Sequence, residues 1–349
     1  MAPLKKVSLS DIAQQLGVSK TLVSMVINGK GDENGISKTT QERVIKLAKE
    51  LNYKPNQFAR GLRMGKSNTI GLIVSDISNS FYARIARHVE DYCSHEDYNL
   101  IICNSDENSE KEKKIINNLL DKQVDGLIIS STIENTEHLK LLNNENVPFI
   151  LIDRIYNAFP CHHVIVNNFQ GAKDATLHLI QNGHKNIACF TISPAHISTQ
   201  IERFHGYKAA LEENFIPFNE FYHKIIPRDN IYQSIYNTLK EWQMNRLLPS
   251  AIFLANNQLA LFLLTICKEL KISIPQKLSV VSFDDVEAFR FNAPPITSIV
   301  QPVESIAQYA VTELVKLIKK SRKTEEKTNL NQISLETNLI IRESVAKLA

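Results

Sequence analysis

Residues 8 to 28 read S-L-S-D-I-A-Q-Q-L-G-V-S-K-T-L-V-S-M-V-I-N, two short helical patterns joined at Gly17. Ser8 and Asp11 form a capping-box start. The hydroxyl accepts from a free backbone N–H while the carboxylate reaches back to the cap residue, so a helix is predicted from about Leu9. Leu9, Ile12, Ala13 and Leu16 fall on one face, and Gly17 is the residue type that takes positive φ where a helix must stop sharply. Ser19 can cap a second helix whose stripe is Leu22, Val23, Val26 and Ile27, leaving Lys20, Thr21, Ser24 and Met25 to face outward as a candidate reading surface.

Two helices of this length cannot bury their apolar faces alone. A third is predicted over Ser37 to Leu51, where Val44, Ile45, Leu47, Ala48 and Leu51 recur at helical spacing, which makes a three-helix headpiece. Charge separates a nucleic-acid role from that of an ordinary helical bundle. Residues 1 to 68 hold twelve lysines and arginines against five carboxylates, a net +7, whereas the whole 349-residue chain is only +3. The basic excess is thus concentrated in one small module, as phosphate binding requires, and DNA is the expected partner.

The rest of the chain bounds the possibilities. Its length suits a small domain plus a large one. No apolar run approaches the ~20 residues needed to span a bilayer, and Met-Ala-Pro-Leu-Lys-Lys leads into the first helix without a signal-peptide core, so a cytoplasmic protein without a membrane partner is expected. Cys93, Cys103, Cys161, Cys189 and Cys267 are odd in number and widely spaced, which argues against a disulfide framework and a zinc site. His162 and His163 are adjacent, so in an extended segment they point oppositely and cannot pair on a metal; no metal and no cofactor is expected.

After the third helix, Pro55 disfavours helix in the residue before it and ends the headpiece. Phe58, Ala59, Leu62 and Arg63 then have helical spacing, but so short a helix containing Gly61 is marginal in water and is expected to fold only when docked.

The segments V-S-L-S-D-I-A-Q-Q-L-G-V-S, V-S-M-V-I-N-G and L-N-Y-K-P-N-Q-F-A-R-G-L resemble the lactose repressor (LacI/GalR) family of bacterial regulators, and the similarity continues through nearly the entire chain. The resemblance implies a helix-turn-helix DNA-binding headpiece over residues 1–55, a hinge helix and linker over 56–68, and an effector-binding and dimerisation domain over 69–349. It implies that the second helix enters the major groove and that Leu62 wedges into the minor groove of the operator centre. Wedging costs unstacking but bends the duplex onto more protein surface, which suits a homodimer on a pseudo-palindromic operator. The candidate DNA contacts are Ser8, Ser19, Lys20, Thr21, Ser24, Met25, Asn28, Asn56, Ala59, Arg60, Leu62 and Arg63. Two features depart from the family. Met25 stands where an arginine is common, removing a bidentate base contact. The loop Gly29 to Ile36 is longer than usual and is expected to turn away from DNA, with at most a small effect on register.

From Thr69 short apolar strands alternate with helices. Thr69–Val74, Leu100–Cys103, Gly126–Ser130, Phe149–Ile152, His163–Val166, Ile187–Thr191, Ala251–Leu254 and Leu278–Phe283 read as buried parallel strands. Tyr82–His95, Lys111–Gln123, Phe169–Asn182, Arg203–Asn214 and Gln258–Leu270 read as helices between them. A two-lobed α/β module follows. The resemblance implies the periplasmic-binding-protein-like (type I) fold, with crossings between lobes expected near 154–164, 286–295 and 321–331. The terminal Ile333 to Ala349 reads as a last strand and tail without leucine heptads, so a dimer is favoured over a tetramer.

Ligands of open α/β sheets sit beyond the carboxyl ends of strands. Candidate effector residues after strands are Asp76, Phe81 and Tyr82 in D-I-S-N-S-F-Y, Asp153 and Arg154, Asn257 and Asp284, and the resemblance adds Arg203, whose guanidinium offers a fixed fork of donors. The resemblance implies roles for several of them. Arg203 with Gly206 matches the family's arginine-glycine spacing, Asp284 its hydroxyl-accepting aspartate, and Asn257 stands where the family has aspartate. His184, in N-G-H-K-N-I, is expected to satisfy a local hydrogen bond. There is no G-x-G-x-x-G in Thr69 to Ser80, and the chain has no P-loop or G-x-S-x-G elbow, so catalysis is not expected. The expected function is operator binding controlled by a small molecule, a sugar or sugar derivative; the alternatives are a cytoplasmic sugar-binding protein and an effector-insensitive DNA-binding protein.

Overall fold

The structure, a computed structural model, describes residues 7–53, 66–132, 136–156, 158–321 and 330–348. The chain divides into two compact units, one ending at Ser67 and the other starting at Asn68.

In the first unit, α1 (Leu9–Leu16), α2 (Lys20–Ile27) and α3 (Lys38–Glu50) pack around Ile12, Ala13, Val23, Val26, Val44 and Ala48. The capping box forms: the Ser8 hydroxyl accepts from the Asp11 N–H at 3.3 Å, and the Ser8 N–H donates to the Asp11 carboxylate at 2.7 Å. Gly17 takes φ +64, and its N–H closes the end of α1 on Ala13 and Gln14. One expected core residue differs. Ile45 is 41% exposed because Val44 and Ala48, four apart, carry the inward line of α3 and Ile45 lies about 100° off it.

The second unit has two lobes, each a six-stranded sheet with helices on both faces. The first lobe contains β1 (Thr69–Val74), β2 (Asn99–Asn104), β3 (Gly126–Ile129), β4 (Phe149–Ile152), β5 (His163–Val166) and, from the far end of the chain, β11 (Gln332–Leu335). Their order is β11-β5-β4-β3-β1-β2, all parallel. Helices α4 (Ser80–His95) and α12 (Val303–Ser321) cover one face, and α5 (Ser109–Asp121) and α6 (Glu137–Asn144) the other. The second lobe has β6 (Ile187–Ile192), β7 (His223–Ile226), β8 (Ala251–Leu254), β9 (Ser279–Phe283), β10 (Thr297–Val300) and β12 (Asn338–Ile340), ordered β12-β10-β9-β8-β6-β7. Here α7 (Asn168–Gln181) and α8 (Ser198–Glu213) lie on one face, and α9 (Ile231–Met244), α10 (Asn257–Glu269) and α11 (Glu287–Phe291) on the other.

All eight strands expected from the sequence form. The crossings lie later than expected, however, at 166–168, 300–303 and 335–338. The first two are displaced because each lobe adds one more strand before the chain leaves it: β5 pairs with β4, and β10 with β9. The third lies beyond its expected window because β11 pairs with β5 and so still belongs to the first lobe. The C-terminal segment is accordingly two strands, one per lobe, rather than one. Since β11 ends at the inter-lobe side, the chain enters the second lobe from that side, and β12 runs antiparallel to β10. No helix among the described residues is long and apolar enough to cross a membrane.

Candidate functional site

The headpiece presents one concave surface, lined by Leu9, Lys20, Thr21, Ser24, Met25, Asn28, Lys30, Glu33 and Asn34. Five of the predicted DNA contacts thus lie together. Lys20 and Thr21 are exposed, while Ser24, Met25 and Asn28 are half-buried. Ser8 and Ser19 do not line this surface; both are helix caps, Ser19 accepting from the Leu22 N–H at 3.1 Å. Asn28 ends α2 and spends its amide on the Ser24 carbonyl at 2.6 Å. Asn56, Ala59, Arg60, Leu62 and Arg63 lie outside the described residues.

The long loop after α2, expected to turn away from DNA, brings Lys30, Glu33 and Asn34 to this surface. It is pinned back on α3: Asp32 accepts from Lys38 Nζ and Gln41 Nε2, both at 2.8 Å, and Gln41 also holds the Ile36 carbonyl at 2.8 Å. Pinning at both ends leaves Glu33 and Asn34 at the tip, beside the outer face of α2.

In the second unit the carboxyl ends of the strands of both lobes converge on a cleft. Of the eight predicted effector residues, Asp76, Phe81, Tyr82, Asp153, Arg154, Arg203 and Asp284 line it. Asn257 does not. It opens α10 at 2% exposure and donates across the lobes to Asn79 Oδ1 at 2.9 Å. The Asn257 amide N–H donates to the Asn79 carbonyl oxygen, a bond that an ionised carboxylate at position 257 could not donate.

Asp153 and Asp284 occupy corresponding places, each immediately after the strand ending its β4 or β9 run, and each with left-handed backbone, φ +66 and +69. Aspartate tolerates that conformation better than most residues. The Asp153 carboxylate accepts from Tyr82 Oη at 2.7 Å. Burial pushes the Tyr82 phenol up, so it stays a donor. Asp284 accepts from Gln301 Nε2 at 2.5 Å and lies 3.5 Å from Arg203. Burial raises the Asp284 carboxyl above the usual carboxylate range, with Arg203 pulling in the other direction.

Arg203 is 3% exposed, with Nε on Asn168 Oδ1 at 2.8 Å, Nη1 on the Ala255 carbonyl at 2.7 Å and the guanidinium 3.7 Å above the Phe283 ring. The arginine-glycine spacing has a steric cause. A Cβ at Gly206 would come within 2.2 Å of the Phe169 carbonyl, so only glycine lets α8 approach α7 closely enough for Arg203 to reach Asn168.

Of the cleft residues that were not foreseen, three matter most for its charge and hydrogen bonding: Glu107, Arg228 and Gln301. Glu107 grips Arg154 in a two-pronged pair, 2.6 and 2.7 Å, and reaches across the lobes to Arg228 at 3.1 Å. Burial opposes the charge on Glu107, but the two guanidiniums hold its carboxyl below the ordinary value. Gln301 is 4% exposed and leaves its Oε1 without a hydrogen-bond partner. All three follow strands. Strand-end position would have identified Glu107 after β2, whereas Arg228 and Gln301 follow β7 (H-K-I-I) and β10 (T-S-I-V), whose mixed polar and apolar residues do not read as a buried run.

The cleft is closed. Besides Asn257 to Asn79 and Arg228 to Glu107, Gln258 donates to Asp76 at 3.0 Å and the Ile155 N–H to Ser198 Oγ at 3.2 Å. The space left among these groups is about 30 Å³, room for one water. At its mouth a cavity of about 510 Å³ opens, lined by Asp76, Asp229, Tyr232 and Phe262 among others. His184 is held at both ring nitrogens, by Ser250 Oγ and the Ala346 carbonyl, each at 3.0 Å.

Comparison with known proteins agrees with this architecture. Residues 8–56 match the model of bacterial regulatory proteins of the lacI family, and residues 176–345 match that of a periplasmic binding protein-like domain. Catabolite control protein A of Priestia megaterium is 34% identical over 314 residues, covering 90% of this chain and 93% of that protein. Among solved structures, the lac repressor dimer bound to operator and an anti-inducer is 25% identical with a TM-score of 0.80, covering 98% of this chain and all of that one. The transcriptional regulator CelR in complex with cellobiose is 26% identical with a TM-score of 0.71, covering 97% of this chain and all of that one.

Proposed function

This chain belongs to the LacI family of bacterial regulatory proteins and is a DNA-binding transcriptional regulator, and from that premise we propose that it represses transcription as a homodimer on a pseudo-palindromic operator, under the control of a neutral, polyhydroxylated effector, a sugar or sugar derivative. The observation that carries the effector class is the charge balance of the cleft. Its three arginines, Arg154, Arg203 and Arg228, are each already close to a carboxylate, Glu107 or Asp284. An anionic effector would have to break one of those pairs, whereas hydroxyl groups can exchange with the present donors and acceptors without leaving a charge unpaired. The CelR complex with cellobiose supports the same class, and the operator-bound lac repressor dimer supports the assembly.

Asp76, Phe81, Tyr82, Asp153, Arg154, Arg203 and Asp284 would bind the effector, with Asn257 tying the lobes at the rim. Because pockets for small ligands measure about 300–1,000 Å³, the effector enters through the wider mouth and parts the neutral inter-lobe bonds, Asn257 to Asn79 and Ile155 to Ser198. The altered angle between lobes would then spread or bring together the two hinge segments of the dimer.

Thermal unfolding against a panel of neutral sugars, sugar phosphates, nucleobases and amino acids tests this reading, since a ligand that binds only the native state stabilises it by mass action. A concentration-dependent rise with neutral sugars alone is expected. A rise with an anionic compound instead would reject the charge-balance argument, and no rise with any compound would favour an effector-insensitive regulator. For the hinge, Leu62→Ala is expected to weaken specific operator binding roughly tenfold or more while leaving nonspecific binding nearly unchanged, because only the bent, specific complex uses the wedge. Equal losses in a salt-matched filter-binding assay would remove the wedge role.

A further inference from the structure

We propose that the loop between α2 and α3 is a second reading element, and that Glu33 at its tip selects a cytosine in each operator half-site; this rests on the assignment of α2 as the reading helix. On this surface α2 offers the Thr21 and Ser24 hydroxyls and the Lys20 ammonium, but no acceptor-only group. Met25 has no polar donor, Asn28 spends its amide on the Ser24 carbonyl, and Ser19 caps its own helix. Lys20 is the one cation of α2.

The loop supplies a carboxylate, which α2 lacks, and hydrogen bonds within the loop and to α3 place its tip. Its backbone closes on itself through Lys30 N–H to Met25, Gly35 N–H to Asp32 and Ile36 N–H to Gly31, at 2.9 to 3.1 Å. Gly31 is buried against Gln41, whose side-chain atoms would lie 2.4–2.7 Å from any Cβ there. Of the two acids in the loop, Asp32 is consumed by Lys38 and Gln41, which lower its pKa, first through those hydrogen bonds and then through the lysine charge. Asn34 donates to the Lys30 carbonyl at 2.8 Å. Glu33 is exposed, carries no such tie among the described residues, and lines the same concavity as Lys20, Thr21, Ser24 and Met25.

A carboxylate only accepts hydrogen bonds. In the major groove the donors are the exocyclic amines of cytosine and adenine, and adenine places the acceptor N7 beside its amine whereas cytosine does not. A carboxylate held there therefore favours cytosine, and it disfavours guanine, whose major-groove edge has only acceptors.

The experiment is operator selection from a randomised duplex library with the full-length protein, for wild type, Glu33→Gln and Glu33→Ala. Wild type is expected to enrich a symmetric site with a cytosine at one position per half-site. In Glu33→Ala that preference should fall by roughly fivefold or more while the other positions keep theirs, and Glu33→Gln should shift it toward adenine, to which an amide can both donate and accept. If Glu33→Ala instead retains the wild-type consensus and tightens binding to every sequence equally, Glu33 acts only by repelling phosphate and the proposal is overturned. If wild type enriches no site, the assignment of α2 as the reading helix fails and the proposal fails with it.

Discussion

Replacing Arg203 by alanine is expected to abolish the effector-dependent change in operator binding and to lower the melting temperature of the effector unit by an amount on the order of 10 °C. The second effect follows from burial. Arg203 and Asp284 are 3% and 6% exposed, and removing one member of a buried pair costs about 3–5 kcal/mol because the other charge is left without compensation. The Asn168 and Ala255 acceptors also lose their donor. Loss of response in the single variant therefore mixes binding with stability. Arg203→Ala combined with Asp284→Asn separates them, since no carboxylate is then stranded. The double variant should recover part of the lost stability in thermal melts and none of the response. An effector response that survives in either variant would remove Arg203 from the binding site.

A comparable loss is expected from Glu107→Ala, for a different reason. Glu107 joins Arg154 in its own lobe to Arg228 in the other, so the substitution leaves a buried guanidinium with the Ser131 carbonyl at 3.3 Å and, as its remaining carboxylate, Asp153 at 3.4 Å, and cuts one of the bonds that close the cleft. A cost of about 3–5 kcal/mol is expected, together with a larger radius of gyration of the ligand-free protein by small-angle scattering.

The pH dependence has a definite sign. Although burial works against the charge, the arginines hold the Glu107 carboxyl below its ordinary value, so its stabilisation is fully present above the unfolded-state pKa of about 4.3 and is lost as pH falls through the lower folded-state value. Wild type should therefore lose stability on acidification in a range where Glu107→Ala loses less. Parallel pH–stability curves and an unchanged radius would show that the lobes are held closed by something else.

Much of this site was legible in the residues. Asp76, Asp153 and Asp284 were identified because each follows a strongly apolar strand, and strand ends are where an α/β sheet places its polar groups. Arg203 came with Gly206, a spacing whose cause emerged only as the closeness of α7 to α8. Glu107 escaped although β2 was expected, because it stands three residues past the strand end in the polar run N-S-D-E-N-S, where nothing local marks which side chain turns inward; β2 itself, expected to be buried, is an edge strand with no buried residue. Arg228 and Gln301 escaped with β7 and β10, whose H-K-I-I and T-S-I-V mix polar with apolar residues and lack the continuous apolar run that marked the other short strands.

The headpiece was determined by sequence almost completely, because caps, a positive-φ glycine and an apolar stripe are local devices whose effects are felt within one or two helical turns. The alternation of strands and helices was likewise local. Tertiary structure alone decided which lobe each strand joins, since β5, β10 and β11 are claimed by their neighbours in the sheets and not by anything in their own residues. It also decided that three arginines and their carboxylates neutralise one another, for Glu107 and Arg228 are far apart in the chain and meet only because two separately folded lobes close face to face. Finally it decided that the loop after α2 stands beside the outer face of α2, because Asp32 reaches Lys38 and Gln41 only once α3 has packed.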